Sequence, residues 1–226
     1  MKIGILGTGI VGQTLGLKLV QLGHSVTIGT RDPSKLNEPK GRGSSARTLA
    51  DWLTEAGPAA SVGTFRDAAA YGELIINALS GAASFEVLRS VGEEYLNGKT
   101  LIDISNPIDV SRGFPLTLFV KDTDSLGEIL QRAFPNLQVI KTLNTMGAAL
   151  MVDPNLVGNG DHTVFVSGND INAKAQVTEL LRELGWRDIL DLGDISTARG
   201  PEMMLAIGHA TMHALSPAVI AFKVVR

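Results

Sequence analysis

The glycine pattern that opens the chain, GILGTGIVGQTLG, constrains the fold more than any other feature. Gly7, Gly9 and Gly12 follow an apolar run at residues 2–6 and precede leucines at helical spacing. In that context the first glycine permits a tight turn, the second lets backbone approach a pyrophosphate, and the third permits close helix–strand packing. The free N–H groups of a helix N-terminus then favour phosphate. The pattern predicts a dinucleotide-binding βαβ unit; the alternative is a glycine-rich turn without a ligand.

Strand-like apolar runs alternate with helix-period segments along the whole chain. The runs GELIINAL, TLIDIS and LQVIKTL are apolar on consecutive residues, which is typical of strands covered on both faces. The alternation predicts an α/β fold of the Rossmann type, with a doubly wound, mostly parallel sheet. We expect strands at residues 2–6, 25–29, 60–64, 73–78, 100–104, 137–143, 163–167 and 188–191.

Two helices are predicted from apolar residues spaced i, i+3, i+4 and i+7. The first is expected to be capped by Ser44 or Ser45, whose hydroxyl groups accept from backbone N–H groups. The apolar positions are Ala46, Leu49, Ala50 and Leu53 in the first helix and Val177, Leu180, Leu181 and Leu184 in the second.

The composition argues against several classes of protein. A net charge of −3, with both signs interspersed, gives no footprint for a nucleic-acid partner. The absence of cysteine excludes disulfides, thiolate metal sites and cysteine nucleophiles. No run approaches the roughly 18 apolar residues that a membrane span needs. Since no small-residue cleavage site follows the N-terminal run, we expect a cytoplasmic protein with no membrane partner.

The stretch GTRDPSK, at the end of the second predicted strand, indicates which dinucleotide binds. NAD-binding chains place a carboxylate about 20 residues beyond the glycine loop, where it holds the ribose hydroxyls. Here Thr30 and Arg31 occupy that place, and a guanidinium can fork onto a 2′-phosphate while stacking on adenine. Lys35 adds a further positive charge, while Asp32 is either a displaced acid or a turn residue before proline. The stretch favours NADP(H) over NAD, the alternative being that Arg31 and Lys35 are merely solvated.

Small polar clusters follow three of the predicted strands, reading NALSG, SNP and LNTMG. Ligands of doubly wound sheets bind outside the carboxyl ends of the strands, where these clusters meet. The amides of Asn106 and Asn144 suit a carboxamide or a ribose hydroxyl, although Asn-Pro and Asn-Thr also begin ordinary loops. The cofactor-binding positions expected here are Ala78, Leu79, Ser80, Asn106, Pro107, Asn144 and Thr145.

The four histidines offer little acid–base chemistry at that edge. His24 and His162 lie next to predicted strands and are not expected to face the cofactor. His209 and His213 are spaced i, i+4, but no carboxylate or cysteine pattern completes a metal site, so no metal is expected. His209 is a candidate for a substrate contact. No catalytic residue is assigned, because hydride passage between stacked rings needs no strong acid or base on the protein.

The last part of the chain is predicted to form a separate lobe. The stretch VDPNLVGNGD is the best available boundary, so residues 1–157 are expected to form an NADP-binding Rossmann domain. Residues 158–226 are expected to form a small α/β lobe that extends the sheet and covers the cofactor cleft. The ending ALSPAVIAFKVVR is apolar, and Pro217 would interrupt a helix. We therefore expect a docked tail at a homodimer interface.

Taken together, these pieces resemble the NADPH-dependent deazaflavin (coenzyme F420) oxidoreductase family and its dinucleotide-binding relatives. The matching stretches are GILGTGIVGQTLGLKL, IGTRDPSK, DISNP, VIKTLNTMGAA, LGDISTARGPEMM and AFKVVR, which span nearly the whole chain. The resemblance implies that a deazaflavin lies in an apolar cleft between the sheet edge and the C-terminal lobe. It also implies phosphate-loop roles for Thr8, Gly9, Ile10 and Val11 and a 2′-phosphate role for Thr30, Arg31 and Lys35.

The predicted function is that of an NADP(H)-dependent oxidoreductase that transfers hydride between NADPH and a deazaflavin (F420-like) or flavin-like coenzyme. The lysine-plus-asparagine helix signature of hydroxy-acid dehydrogenases is not visible, which favours transfer from cofactor to cofactor. Two alternatives stay open. One is an NADPH-dependent reductase of a small carbonyl or imine, with His209 or Lys141 as proton donor. The other is a non-catalytic NADP-binding sensor.

Overall fold

All eight predicted strands are present in the computed structural model, which describes residues 1–38, 47–216 and 218–226. Each begins and ends within one residue of its predicted bounds. The model adds a pair of two-residue strands, β6 and β7, that the sequence analysis missed. The strands are β1 (Lys2–Leu6), β2 (Ser25–Thr30), β3 (Ala60–Thr64), β4 (Leu74–Asn77), β5 (Thr100–Asp103), β6 (Ile108–Asp109), β7 (Thr117–Leu118), β8 (Gln138–Thr142), β9 (Thr163–Gly168) and β10 (Asp188–Asp191).

The main sheet is doubly wound and mostly parallel, as predicted, with the strand order β10-β9-β8-β5-β4-β1-β2-β3. Strands β1 to β5 and β8 run parallel to one another. Strand β9 runs antiparallel to β8, and β10 runs parallel to β9, so these two strands extend the sheet in the reverse direction. The helices are α1 (Ile10–Gln21), α2 (Leu49–Ala56), α3 (Phe65–Tyr71), α4 (Gly81–Val91), α5 (Leu126–Ala133), α6 (Ala148–Val152), α7 (Ile171–Glu183) and α8 (Arg199–Ala214).

The apolar strands divide their side chains between two cores, one on each face of the sheet. Ile75 and Leu101 point to one face, where α3, α4 and α5 pack. Ile76 and Ile102, the next residues along, point to the other face, where α1, α2 and α7 pack. This alternation explains why the strands are apolar on consecutive residues rather than on every second one.

The first predicted helix exists, but its predicted cap is wrong. Helix α2 begins at Leu49, and its N-cap is Thr48, whose hydroxyl accepts from the Asp51 N–H at 3.0 Å. Asp51 in turn accepts from Thr48, which completes a capping box. The proposed caps Ser44 and Ser45, together with Ala46, lie outside the described residues. The second predicted helix is confirmed as α7, which buries Val177, Leu180 and Leu181.

The C-terminal residues pack onto the same core as the rest of the sheet. Val164 and Val177 belong to one apolar cluster with Ile3, so the core continues across the predicted boundary. The division at residue 157 stays a prediction. No helix within the described ranges is long and apolar enough to cross a lipid bilayer.

The apolar tail docks on its own chain. The Thr163 N–H donates to the Phe222 carbonyl at 2.8 Å, and Arg226 lies 2.6 Å from the Asp188 carboxylate. Lys223 pairs with Asp161 in the same region. Pro217 lies outside the described residues. The homodimer interface stays a prediction.

Candidate functional site: the cleft at the carboxyl edge of the sheet

The three glycines at the junction of β1 and α1 have different surroundings. A Cβ at Gly7, which has φ +126°, would lie 2.5 Å from the Ala78 carbonyl oxygen, and a Cβ at Gly12 would lie 2.1 Å from the Gly7 carbonyl oxygen. A Cβ at Gly9 would meet no atom within 4 Å. Gly7 and Gly12 are therefore required by the fold, whereas Gly9 leaves an open cradle of the kind a pyrophosphate fills.

The N-terminus of α1 is free to bind an anion. Its N-cap, Gly9, provides no side-chain cap, and the first turn contains no acidic residue. Gln13 Nε2 donates to the Thr8 carbonyl at 3.0 Å, which fixes the loop that precedes the helix. Ile10 is about half exposed beside it. The positive end of the helix dipole thus meets the cradle left by Gly9.

Thr30 and Arg31 line a cavity of about 510 Å³ at the carboxyl ends of β2 and β3, which we name the Arg31 cavity. The neighbouring Asp32 accepts hydrogen bonds from the Ser34 N–H (3.0 Å) and hydroxyl (2.6 Å), which is turn chemistry. Two guanidinium groups, of Arg31 and Arg66, and one carboxylate, of Glu86, line the cavity, so positive charge predominates there and suits phosphate. The lining residues are Thr30, Arg31, Thr64, Phe65, Arg66, Ala83, Glu86, Val87 and Ser90.

Lys35 lies outside this lining. Its ammonium pairs with Glu38 at 3.1 Å, and both side chains are about half exposed. The hydrogen bond and charge of Glu38 raise the pKa of Lys35, so it carries its positive charge throughout the neutral range. The contact of Lys35 with the 2′-phosphate stays a prediction. It would require the ion pair between Lys35 and Glu38 to break.

Arg66 is a residue that the sequence analysis missed. It lies in the first turn of α3, across the Arg31 cavity, and its guanidinium carbon is 5.6 Å from the centroid of the Tyr95 ring. A signal was available, because β3 was predicted to end two residues earlier, at the same edge of the sheet as β2. The cavity thus has a second guanidinium on its far side.

A second cavity, of about 360 Å³, lies between the glycine loop and the ends of β4 and β5; we name it the strand-edge cavity. Five predicted cofactor residues line it: Val11, Ala78, Leu79, Ser80 and Asn106. The other lining residues are Gly81, Ala82, Ile104, Ser105, Ile108, Val110, Met146 and Met151.

Pro107 is placed differently from the other predicted cofactor residues. It is buried and lies outside the linings of the cavities, and its carbonyl accepts from the Phe119 N–H at 2.8 Å. That bond holds the segment carrying β6 and β7, whose tip residue Phe114 stacks on His213 with ring centroids 4.5 Å apart. We find a structural role for Pro107 here, and its cofactor contact stays a prediction.

A pair of asparagine amides joins the ends of β5 and β8. Asn144 Nδ2 donates to Asn106 Oδ1, and Asn106 Nδ2 donates to the Asn144 carbonyl, both at 3.0 Å. Asn144 follows Leu143, a buried residue with φ +59°. A branched side chain in the left-handed region is unusual and is often found at functional sites. The two predicted amides are therefore brought together and held in one orientation.

A third cavity, of about 300 Å³, is lined by this amide pair and by residues of α8; we name it the α8 cavity. It shares Asn106 and Met146 with the strand-edge cavity. His209 Nδ1 lies 3.1 Å from the Leu205 carbonyl, so Nδ1–H donates to it and Nε2 is the ring nitrogen left for a ligand. The lining residues are Asn106, Asn144, Thr145, Met146, Gly147, Leu205, Gly208, His209, Met212, Ala218, Val219 and Ile220.

Lys141, one of the two proton donors considered from the sequence, does not reach these cavities. Its side chain is fully buried, with Asp103 Oδ2 at 2.6 Å, Glu202 Oε1 at 2.8 Å and the Ser105 carbonyl oxygen at 2.8 Å. Burial alone would lower the pKa of the Lys141 ammonium, but the two carboxylates outweigh it and raise that pKa. Lys141 is thus buried among protein oxygen atoms and lines neither cavity, which argues against the role of proton donor to substrate.

The other two histidines face away from the cleft. His24 Nε2 pairs with Glu183 at 2.7 Å, and His162 Nε2 lies 2.8 Å from the Pro154 carbonyl. In the part of the chain that the structure describes, no group of three or more histidine or acidic side chains is arranged to hold a metal ion.

This cleft can be compared with those of known proteins. A family model described as NADP oxidoreductase, coenzyme F420-dependent, matches residues 2–107. A solved structure from Arthrobacter sp. FB24, provisionally described as an F420-dependent NADP-reductase, is 50% identical, with each chain covered over 100% of its length and a TM-score of 0.93. The chain belongs to this family of NADP-dependent oxidoreductases. The resemblance drawn from the sequence is thereby confirmed.

More distant relatives carry two kinds of name. The F420-dependent NADP reductase of Methanocaldococcus jannaschii is 28% identical over 203 residues, which cover 88% of this chain and 86% of the relative. The metalloreductase STEAP3 of Rattus norvegicus is 30% identical over 202 residues. That match covers 89% of this chain, which spans about a third of the metalloreductase (36%). These relatives are named for different reactions, so the acceptor of this chain has to be argued from its own cleft.

Proposed function

We propose that this chain binds NADP(H) along the cleft and exchanges hydride with a deazaflavin coenzyme of the F420 type. The adenosine end of the dinucleotide would occupy the Arg31 cavity, the pyrophosphate the cradle at Gly9, and the nicotinamide the strand-edge cavity. The acceptor ring would occupy the α8 cavity. The bound nicotinamide supplies the hydride at its C4 atom, and the protein residues hold the rings and exclude water.

The observation that supports this proposal most strongly is that two cavities adjoin. Asn106 and Met146 line both the strand-edge cavity and the α8 cavity, so rings bound in the two cavities could come into direct contact beside these two side chains. Both linings are dominated by apolar side chains, which exclude water from a hydride path. Two flat rings held face to face need orientation more than acid–base catalysis.

The position of Lys141 argues against a carbonyl reductase that uses it as proton donor. Lys141 is fully buried, and its ammonium contacts three protein oxygen atoms rather than a cavity. His209, the other candidate from the sequence, lines the α8 cavity with Nδ1–H donated to the Leu205 carbonyl, and its role is decided by substitution. Reduction of a carbonyl calls for a positioned donor near the oxygen, whereas transfer between two coenzyme rings does not.

The cofactor preference is proposed from the Arg31 cavity. Arg31 follows the end of β2, where it can fork onto a 2′-phosphate, and the Thr30 hydroxyl lies beside it. Arg66 supplies a second positive charge from the opposite side of the cavity. These groups favour NADP(H), since NAD(H) offers them no phosphate at that position.

The test is a spectrophotometric assay with purified protein, NADPH and coenzyme F420. We expect NADPH consumption to be matched, mole for mole, by loss of the deazaflavin absorbance, and the reverse reaction to run from reduced F420 and NADP. Turnover of small carbonyls or imines that His209→Ala abolishes, without turnover of deazaflavin, would contradict the proposal. So would tight NADP binding with no turnover of deazaflavins or flavins, as expected of a sensor.

We also propose that the protein is a cytoplasmic homodimer and that the outer side of α8 forms the interface. Apolar side chains are exposed there, with accessible fractions of 38% at Met203, 56% at Ile207 and 56% at Leu215. Such a strip on one helix is typical of protein–protein contact. Light scattering at micromolar concentration is expected to give twice the chain mass, and Ile207→Glu to reduce it to that of one chain.

A further inference from the structure

A buried cluster of three charged side chains lies next to Asn106, one of the residues that the two cavities share. Its members are Lys141, Asp103 and Glu202, and we name it the ion cluster. Their side chains are exposed by 0%, 0% and 2%, respectively. Charged groups are buried at this depth only when their charges are paired and hydrogen-bonded. The single ammonium offsets one of the two negative charges, so the other must be met by neutral donors.

Four such donors come from three places in the fold. The Glu202 carboxylate accepts from the N–H groups of Leu126 (2.8 Å) and Gly127 (3.0 Å), at the N-terminus of α5. The Asp103 carboxylate accepts from the Ser105 hydroxyl (2.6 Å) and from Asn77 Nδ2 (2.9 Å). The ion cluster therefore ties the ends of β4, β5 and β8 to α5 and α8.

Three hydrogen bonds connect the ion cluster and the start of α8 to Asn106 and Asn144. Lys141 donates to the carbonyl of Ser105, the residue immediately before Asn106. Asn144 donates both to Asn106 and to the carbonyl of Pro201, the residue immediately before Glu202, each at 3.0 Å. The same polar contacts therefore fix both the position of α8 relative to the sheet edge and the orientation of the two amides.

We propose that Lys141 and Glu202 are positioning residues that set the separation between the strand-edge cavity and the α8 cavity. The proposal rests on the proposed function, because that separation becomes the distance between the two rings. Hydride transfer depends steeply on this distance: a displacement of about 1 Å costs on the order of a hundredfold in rate. A buried ion pair is a poor source of net stability, since apolar groups of the same volume often replace it without loss. Positioning explains why the chain retains three charges here.

The chain offers a matched pair of variants on the first turn of α8. Glu202→Gln keeps the shape of the side chain but weakens its link to Lys141 and to α5. Arg199→Gln, three residues away, removes the ion pair from Arg199 to Glu128 (2.5 Å), which also ties α8 to α5 but makes no contact with Lys141 or Ser105. A loss of stability that comes only from weaker attachment of α8 to α5 would therefore appear in both variants.

We expect Glu202→Gln to lower kcat for deazaflavin reduction about tenfold and to leave the NADPH dissociation constant within about twofold. Hydrogen exchange at the amides of Ser105 and Ile108, which bond Asp103 and Asn106, is expected to quicken about tenfold, since Lys141 loses one anchor. Arg199→Gln is expected to lower the melting temperature about as much as Glu202→Gln does. It should leave kcat and the exchange rates of the Ser105 and Ile108 amides unchanged. Lys141→Met is expected to act like Glu202→Gln, with larger changes.

Equal losses of melting temperature in Glu202→Gln and Arg199→Gln, with unchanged kcat and unchanged exchange at Ser105 and Ile108, would overturn the proposal and leave the ion cluster a purely structural feature. If Lys141→Met does not fold, Glu202→Gln decides alone. The exchange measurement needs no substrate, so it tests the positioning role even if deazaflavin is not the acceptor. Failure of the proposed function would appear instead as absent turnover in the unsubstituted protein with normal exchange differences.

Discussion

The two ends of the cleft are built by different means. At the nucleotide end, the geometry is made by backbone: glycines at three positions of one short loop, and the first turn of α1. At the α8 end, it is made by side chains from distant parts of the chain, above all Lys141 and Glu202. The nucleotide end is formed by residues that are close in sequence. The α8 end forms only when the sheet and α8 have assembled. Substitutions at the two ends should therefore separate binding from positioning.

The largest effects are expected from two alanine substitutions in the glycine loop. A Cβ at Gly12 meets the Gly7 carbonyl oxygen at 2.1 Å, so Gly12→Ala should destabilise the fold by about 3 kcal/mol and abolish cofactor binding. Gly9 has φ −73°, which alanine adopts readily, and its Cβ has open space. Gly9→Ala should therefore leave the melting temperature unchanged but weaken NADPH at least about tenfold. Scanning calorimetry and titration calorimetry measure the two effects, and a stability loss in Gly9→Ala would break the distinction.

An intermediate effect is expected at the Arg31 cavity. Arg31→Ala should weaken NADPH by about 10- to 100-fold, the worth of a charge-assisted contact with phosphate, and change NADH by less than about twofold. Lys35→Ala should cost NADPH only about threefold or less, because Lys35 is already paired with Glu38 at the surface. Binding is measured by titration calorimetry with both cofactors. Equal losses of NADPH and NADH in Arg31→Ala would remove the basis for the NADP preference.

Substitution of Arg66 tests the contribution of a second arginine to the affinity for NADPH. Its guanidinium lies over the Tyr95 ring as well as beside the cavity, so its loss should weaken NADPH less than the loss of Arg31 does. An Arg66→Ala protein with unchanged affinity for NADPH would assign the phosphate to the β2 side of the cavity alone.

The smallest effect is expected where the C-terminal tail docks on β9 and β10. The hydrogen bond from Thr163 and the charge of Arg226 lower the pKa of Asp188. A lowered pKa means that this contribution to stability is complete above the ordinary value of 3.8 and is lost as the pH falls through the folded-state value. Asp188→Asn should cost about 1 kcal/mol at pH 7, and the difference from the unsubstituted protein should close in strong acid. Asp191→Asn on the same strand, which pairs with Lys174, is the control that leaves the tail in place.

Most of the sheet was predictable because its signals are local. Consecutive apolar residues locate the central strands wherever both faces are covered, and the glycine loop identifies itself by spacing. The capping box at Thr48 was also readable from the sequence, as threonine followed three residues later by aspartate, and was overlooked in favour of the serines upstream. The strands β6 and β7 have two residues each, too few for any periodicity.

The remaining features depend on contacts between distant residues. The reversed direction of β9 follows from its pairing with β8, which leaves no trace in the composition of either strand. Asp103 and Lys141 stood inside predicted apolar strands, and that placement was a signal for a buried pair. Glu202, which completes the ion cluster, is separated from Lys141 by two further strands, so nothing local could have linked them.

The two helices that border the cleft give it a polarity along its length. Helix α1 begins at the cleft, so the end with partial positive charge faces it, whereas α8 lines the cleft with residues between Leu205 and Met212. An elongated ligand with anionic groups in its middle would be attracted to the start of α1, whereas the α8 cavity offers it mainly apolar side chains. Such a ligand would have one favourable orientation along the cleft.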